Sequence, residues 1–155
     1  MTAYRTYSGI EIAFTLLKLA READKALTNL QLQKLVYVCH GMSLSKFGRP
    51  LIIEDVHAWK YGPVIPSVYF RFKHAGQEPV TDELEPTDLD EKSFSLIAAV
   101  MEKFGDLTGW QLVHLTHRDG SPWHTATQQK RSTIDDTAIK QHYDVMLETG
   151  LVNCL

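Results

Sequence analysis

The segment from Thr28 to Gly48 limits the fold more than any other part of the chain. Thr28-Asn29-Leu30-Gln31 has the spacing of a capping box, in which the hydroxyl and the amide side chain satisfy backbone amides at a helix start. Gly48 can close that helix, since glycine takes the left-handed conformation that helix ends favour. Within it, Leu32, Leu35, Val36, Cys39 and Met42 make one stripe, while Leu30, Tyr37, Val38 and Leu44 lie outside the stripe. A helix apolar over most of its circumference has to be covered on all sides by the rest of the fold. The sequence therefore predicts a central helix wrapped by other elements.

Those elements are mostly helical. Ser8-Gly9-Ile10-Glu11 is a second box, and Ile12, Leu16, Leu19 and Ala20 follow at helical spacing, giving a helix over about 8–24. Leu51-Ile52-Ile53 and Val56-His57-Ala58-Trp59 are short and β-branched or aromatic, with Glu54-Asp55 between them, which reads as a two-stranded hairpin. Pro63 and Pro66 fit a first helical turn, where a missing amide costs nothing, and Val64, Val68, Tyr69 and Phe72 continue a helix over about 63–74. Further starts lie at Thr87–Asp90, Thr108, Ser121-Pro122 and Asp135-Asp136. The expected architecture is mainly α, about six helices with a small two-stranded β element near 51–60, in a single domain over 1–155.

Composition narrows the function classes. The chain has 155 residues, 44% hydrophobic and 23% charged, and a formal net charge of −3, a poor match to a nonspecific nucleic-acid binder. The longest apolar run, Leu96–Met101, is far short of a bilayer span. Met1–Tyr7 shows no apolar core of a secretory signal, and two cysteines, Cys39 and Cys154, suit a reducing cytoplasm. Acidic residues gather at Asp82, Glu83, Glu85, Asp88, Asp90 and Glu91 beside Pro79 and Pro86, a loop-like connector over 79–91 that could also face a basic partner.

No catalytic set emerges. There is no phosphate-cradling glycine run and no nucleophile elbow, and Cys39 lies on the apolar stripe, where a thiol is inert packing. His114, His117 and His124 are the one combination that could hold a metal, as in a metal-dependent hydrolase, but the ligand pattern of known zinc sites is otherwise missing. No cofactor is expected. The aromatics are more informative. Tyr37, Phe47, Trp59, Tyr61, Tyr69, Phe70 and Phe72 concentrate in one stretch with Lys34, Lys60, Arg71 and Lys73, and aromatic rings beside cations favour protein interfaces. Lys34, Lys60, Tyr61, Tyr69, Arg71 and Lys73 are the candidate partner-binding residues.

Three separated blocks carry a resemblance. Leu30-Gln31-Leu32-Gln33-Lys34-Leu35-Val36-Tyr37 with Gly41, then Gly48-Arg49-Pro50-Leu51 and Ala58-Trp59-Lys60-Tyr61-Gly62-Pro63-Val64, then Leu115-Thr116-His117 with Ser121-Pro122-Trp123, resemble the SocA-like antitoxin family. This family is also called the Panacea domain and is related to phage-associated GepA-like proteins. The resemblance implies a compact helical domain that binds and neutralises a toxin encoded by an adjacent gene, or, in a phage setting, a host target. Leu35, Tyr37, Trp59, Gly62, Pro63, His117, Pro122 and Trp123 are then expected to hold the shared fold. Where the family often has an acidic residue after the histidine, this chain has His117-Arg118-Asp119-Gly120.

Overall fold

The computed structural model describes residues 5–149. Seven α-helices and a three-stranded antiparallel sheet follow in the order α1 (Gly9–Glu22), α2 (Asn29–Phe47), β1 (Val56–Trp59), β2 (Gly62–Val64), α3 (Pro66–Phe72), α4 (Glu91–Phe104), α5 (Gly109–Thr116), α6 (Pro122–Gln128), β3 (Thr133–Ile134) and α7 (Asp136–Glu148). A single 3-10 turn, Lys73–Ala75, extends α3. The helical class and the central role of α2 agree with the sequence. Every residue from Leu32 to Leu44 is buried, and α1, α3, α4, α5, α7 and β2 all pack on this helix. Among the described residues no helix is long and apolar enough to cross a membrane.

Local chemistry explains where the helices begin and end. Ser8 with Glu11, Thr28 with Gln31, and Thr108 with Gln111 form reciprocal capping boxes. Ser121 caps α6, with Pro122 at its first turn, and Asp90 caps α4 by accepting from the Ser93 amide at 2.9 Å. Gly48 ends α2 at φ 68°, in the left-handed region.

Two close contacts seat α2 among its neighbours. A methyl group on Gly41 would lie 2.3 Å from the Tyr143 ring, so the missing side chain lets α7 approach. That ring meets Tyr37 edge-to-face at 6.0 Å, as aromatic pairs prefer. One turn away, buried His40 accepts from the Leu51 amide at 3.2 Å through Nδ1, which leaves Nε2 to donate to the Asp136 carboxylate at 2.8 Å. A single imidazole thus joins α2, the 51–52 segment and the start of α7.

The middle of the chain departs from expectation. Leu51-Ile52-Ile53 is not a hairpin strand: Ile52 forms an isolated parallel bridge with Tyr7, and Tyr7 and Ile53 share a 2.9 Å backbone bond. The hairpin instead joins β1 to β2 around Lys60-Tyr61, with Trp59 opposite Gly62. Pro63 therefore lies in β2 rather than in a first helical turn. That turn belongs to Pro66, at the start of α3. A proline is tolerated in β2 because it is an edge strand; the sheet order is β2-β1-β3. The third strand, Thr133–Ile134, was not expected, since two residues show no periodicity.

Glu54 also does more than turn the chain. Its carboxylate accepts from the Gly9 amide at 2.8 Å and from the Ser67 hydroxyl at 2.6 Å, pinning the starts of α1 and α3 together. The acidic connector has no regular structure over 81–90, yet it is strapped down. Glu85 pairs with Arg71, Asp82 with His74, and Asp90 accepts from the Tyr7 hydroxyl at 2.7 Å.

If the Gly41–Tyr143 contact sets the spacing of α2 and α7, Gly41→Ala should destabilise the protein by at least about 2 kcal/mol, the scale of core overpacking. Urea unfolding checks this. Combining it with Tyr143→Leu should cost less than the sum of the two single changes, because the smaller side chain makes room for the new methyl.

Candidate protein-binding face

The N-terminal half of α2 carries three buried polar side chains on one side. Asn29 and Gln33 are one helical turn apart, and Lys34 adjoins them. The Gln33 amide donates to Asn29 Oδ1 at 2.9 Å while its oxygen accepts from the Ile65 amide at 3.1 Å. Asn29 in turn donates to the Tyr69 carbonyl at 3.1 Å, and Lys34 Nζ donates to the Pro63 carbonyl at 3.0 Å. The main chain from β2 into α3 is therefore hung from α2 by side-chain hydrogen bonds. Buried polar groups persist only when they find such partners.

Above this clamp the hairpin turns at Lys60-Tyr61. Gly62 has φ 112°, a conformation side-chain-bearing residues rarely take, and a methyl there would lie 3.1 Å from Lys34 Cε and 3.2 Å from His117 Nε2. Trp123 donates its indole N–H to the Trp59 carbonyl at 2.6 Å, and His117 stacks flat on Trp123 at 3.6 Å and 6°. This joins the third sequence block to the second. His117 Nε2 is buried without a hydrogen-bond partner. Burial holds the imidazole below its ordinary range, the nearby Lys34 charge adds to that, and a backbone bond with Tyr61 opposes it. Burial alone brings the Lys34 ammonium down to about 7.

A cluster of rings faces outward. Trp59, Tyr69 and Phe70 meet edge-to-face at 5.1 to 6.2 Å, and Tyr61 meets Trp110 at 5.6 Å and 89°. Tyr61, Phe70 and Trp110 are 49%, 57% and 64% exposed, far more than rings of a core. Lys60 lies over Tyr61 at 5.4 Å and Lys73 over Phe70 at 5.3 Å, within cation–π range. Between the rings and α2 runs a groove of about 370 Å³, lined among others by Leu30, Lys34, Trp59, Tyr61, Val64 and Tyr69.

The structure thus brings together Lys60, Tyr61, Tyr69 and Lys73 of the residues expected at a partner surface. Lys34 differs: its side chain is 0% exposed, because β2 covers it, so it forms groove floor rather than rim. Arg71 is exposed but engaged within the chain, with Glu85 and over the Phe14 ring. Leu35, Tyr37 and Pro63 are buried, as is Pro122, the first residue of α6. Phe70, noted as one ring of the aromatic stretch, and Trp110 were not among the candidate partner-binding residues. Trp110 lies in the first turn of α5, out of step with the buried Leu112, Val113 and Thr116, and that mismatch was the available signal.

The three histidines do not converge. His114 is exposed, His117 is stacked on Trp123, and His124 accepts from the Gly120 amide at 3.3 Å and lies 3.7 Å from Asp119. Among the described residues no three potential ligand side chains gather to hold a metal. Burial pushes the Cys39 thiol well above its usual range, so it stays protonated packing. Cys154 lies outside the described residues.

The sequence profile of the family described as "Antitoxin SocA-like, Panacea domain" matches residues 32–124, which run from α2 through the hairpin and ring cluster to His124 beside Trp123. The chain belongs to this family. It is 34% identical over 124 residues to the protein named Antitoxin SocA of Caulobacter vibrioides (strain NA1000 / CB15N). The alignment covers 72% of this chain and 66% of that protein, so the chain spans just under two-thirds of the relative's length. No solved structure matches. Within the family-matched segment lie both the Lys34–Pro63 contact and the Trp123–Trp59 contact.

The buried lysine makes stability depend on pH in a defined direction. A free lysine near 10.5 stays protonated where Lys34, at about 7, has lost its proton. Between those values the unfolded chain binds more protons, so the Lys34 contribution raises stability as pH rises. Urea unfolding at pH 7 and pH 9 should show this rise in the wild type relative to Lys34→Met, in which it should be absent.

Proposed function

We propose that this chain is an antitoxin-type binding module that neutralises a toxin encoded by an adjacent gene through direct complex formation. The contact face is the outward ring cluster of Tyr61, Tyr69, Phe70 and Trp110 with Lys60 and Lys73. The observation that carries this reading is a set of large rings left exposed, Tyr61 on the hairpin turn, Phe70 on α3 and Trp110 on α5, with Lys60 and Lys73 beside them and the main chain from β2 into α3 held from below by buried polar bonds. Exposed aromatics on a rigid support suit the centre of a protein interface, because they bury much area for little lost conformational freedom. Family membership and the name of the Caulobacter relative support the antitoxin reading. A stable complex commonly buries about 1,600 Å² in total, which one side of a domain this size can supply.

The test is to express the chain with its neighbouring gene, tag only this chain, and identify what elutes in stoichiometric amount. The reading expects a neighbour-encoded protein that arrests growth alone and is harmless in the complex. Tyr61→Ala and Trp110→Ala should each weaken that complex ten-fold or more, the range of interface hot spots, while leaving the melting temperature nearly unchanged. A harmless neighbour that does not elute with the chain would overturn the antitoxin reading. Full affinity in both variants would move the contact away from this face.

A further inference from the structure

We infer that the bound protein meets this face with an acidic surface, whose carboxylates pair with the exposed ammonium groups of Lys60 and Lys73 beside the rings. The inference rests on the protein-binding reading above and adds the charge of what is bound.

The chain segments that build the face carry no carboxylate. From Val56 to Gln77, through the hairpin, α3 and its 3-10 turn, stand Lys60, Arg71 and Lys73 but no Asp or Glu. From Leu107 to Arg118, which spans α5, there is again none. Over the whole chain acidic residues outnumber Lys and Arg 19 to 16, so this side is set apart from the rest by its charge. The acids gather instead in the connector, between Asp82 and Glu91. Two of them reach the flank of α3 and are engaged there, Asp82 with His74 and Glu85 with Arg71. Lys60 and Lys73 are left over. Both are exposed, and among the described residues no carboxylate, that of Glu78 included, lies within ion-pair distance of either.

The rings fix where these two charges stand. Lys60 lies over Tyr61 at 5.4 Å and Lys73 over Phe70 at 5.3 Å. Phe70 in turn meets both Trp59 and Tyr69, which wall the groove, so the two lysines belong to one continuous aromatic surface. An ammonium held on a ring face gives up less freedom on pairing than one at the end of an unsupported side chain. No residue lining the groove is acidic, so nothing on this surface repels a partner's carboxylates. A nucleic acid fits less well than an acidic protein surface, because a line of phosphates would run on into the carboxylates of the connector beside α3. Complementary charge at the rim of an interface acts chiefly on the rate of encounter and on its salt dependence.

The experiment is stopped-flow association of the full chain with the neighbouring gene's product at about 20 mM and about 300 mM salt, where screening differs strongly. It compares wild type, the double variant Lys60→Glu with Lys73→Glu, and Trp110→Ala. A control, Lys18→Glu with Lys103→Glu, makes the same change in net charge at exposed positions of α1 and α4. Wild-type association should slow at least about five-fold from low to high salt, and the Lys60/Lys73 variant should associate at least about ten-fold more slowly at low salt and lose or invert that slope. The control should stay within about two-fold of wild type, and Trp110→Ala should dissociate faster while keeping the salt slope. Wild-type rates and slope in the Lys60/Lys73 variant, or an equal loss in the control, would overturn the acidic contact and leave the protein-binding reading standing. No association by any form would overturn both. A gel shift with a mixed-sequence oligonucleotide adds a further outcome: binding as tight as that of the neighbour's product, lost in the Lys60/Lys73 variant, would make the ligand a polyanion and overturn the proposal. Melting temperatures check that each variant folds. If the double reversal does not, Lys60→Gln with Lys73→Gln decides instead, with a loss of at least about three-fold at low salt supporting the pairing and an unchanged rate overturning it.

Discussion

Asn29, Gln33 and Lys34 make the bonds on which the presented face depends. Each reaches from α2 to a main-chain group of Pro63–Tyr69, and between them they fix where the hairpin ends and α3 begins. A neutral hydrogen bond adds only about 1 kcal/mol net, but leaving a buried partner unpaired costs about 1–3 kcal/mol. The clamp therefore works mainly by penalising any other placement of β2. With that strand fixed, the space beside Gly62 is closed by Lys34 and His117, so a side chain there would displace the strand that carries the Lys60-Tyr61 turn.

The third block completes the support from the other side. Trp123 bonds to the Trp59 carbonyl and carries His117 on its face, so α6 and the end of α5 brace the strand that α2 holds. The exposed rings are consequently mounted on two independent supports. This separates fold residues from contact residues: Trp123 and Gly62 maintain the turn, whereas Tyr61, Phe70 and Trp110 give most of their surface to solvent. The buried Lys34 belongs with the first group, as a strut for β2.

Much of the fold was legible because its signals are local. Capping boxes at Ser8, Thr28 and Thr108 place three helix starts correctly, and the near-continuous apolar run after Thr28 identifies the central helix. The hairpin was misplaced because Leu51-Ile52-Ile53 and Val56–Trp59 both read as short runs of β-branched or aromatic residues. What separates them is that Ile52 pairs with Tyr7, a contact no periodicity reveals. At the site, Tyr61 was legible as a ring beside cations. Lys34 was legible as a cation near the rings, but its full burial was not, because it depends on a strand that arrives 29 residues later. Trp110 was not among the candidate contact residues, although its distance from the α5 stripe marked it as outward.

Hydrogen–deuterium exchange of the chain, free and bound to its neighbouring gene's product, tests the central claim most directly. If the ring cluster is the contact face, slowed exchange should concentrate in 59–76 and 109–114, the hairpin turn, α3 and α5. Protection confined to the outer faces of α4 and α7, where Phe94 and Val145 are the exposed apolar side chains, would contradict the account.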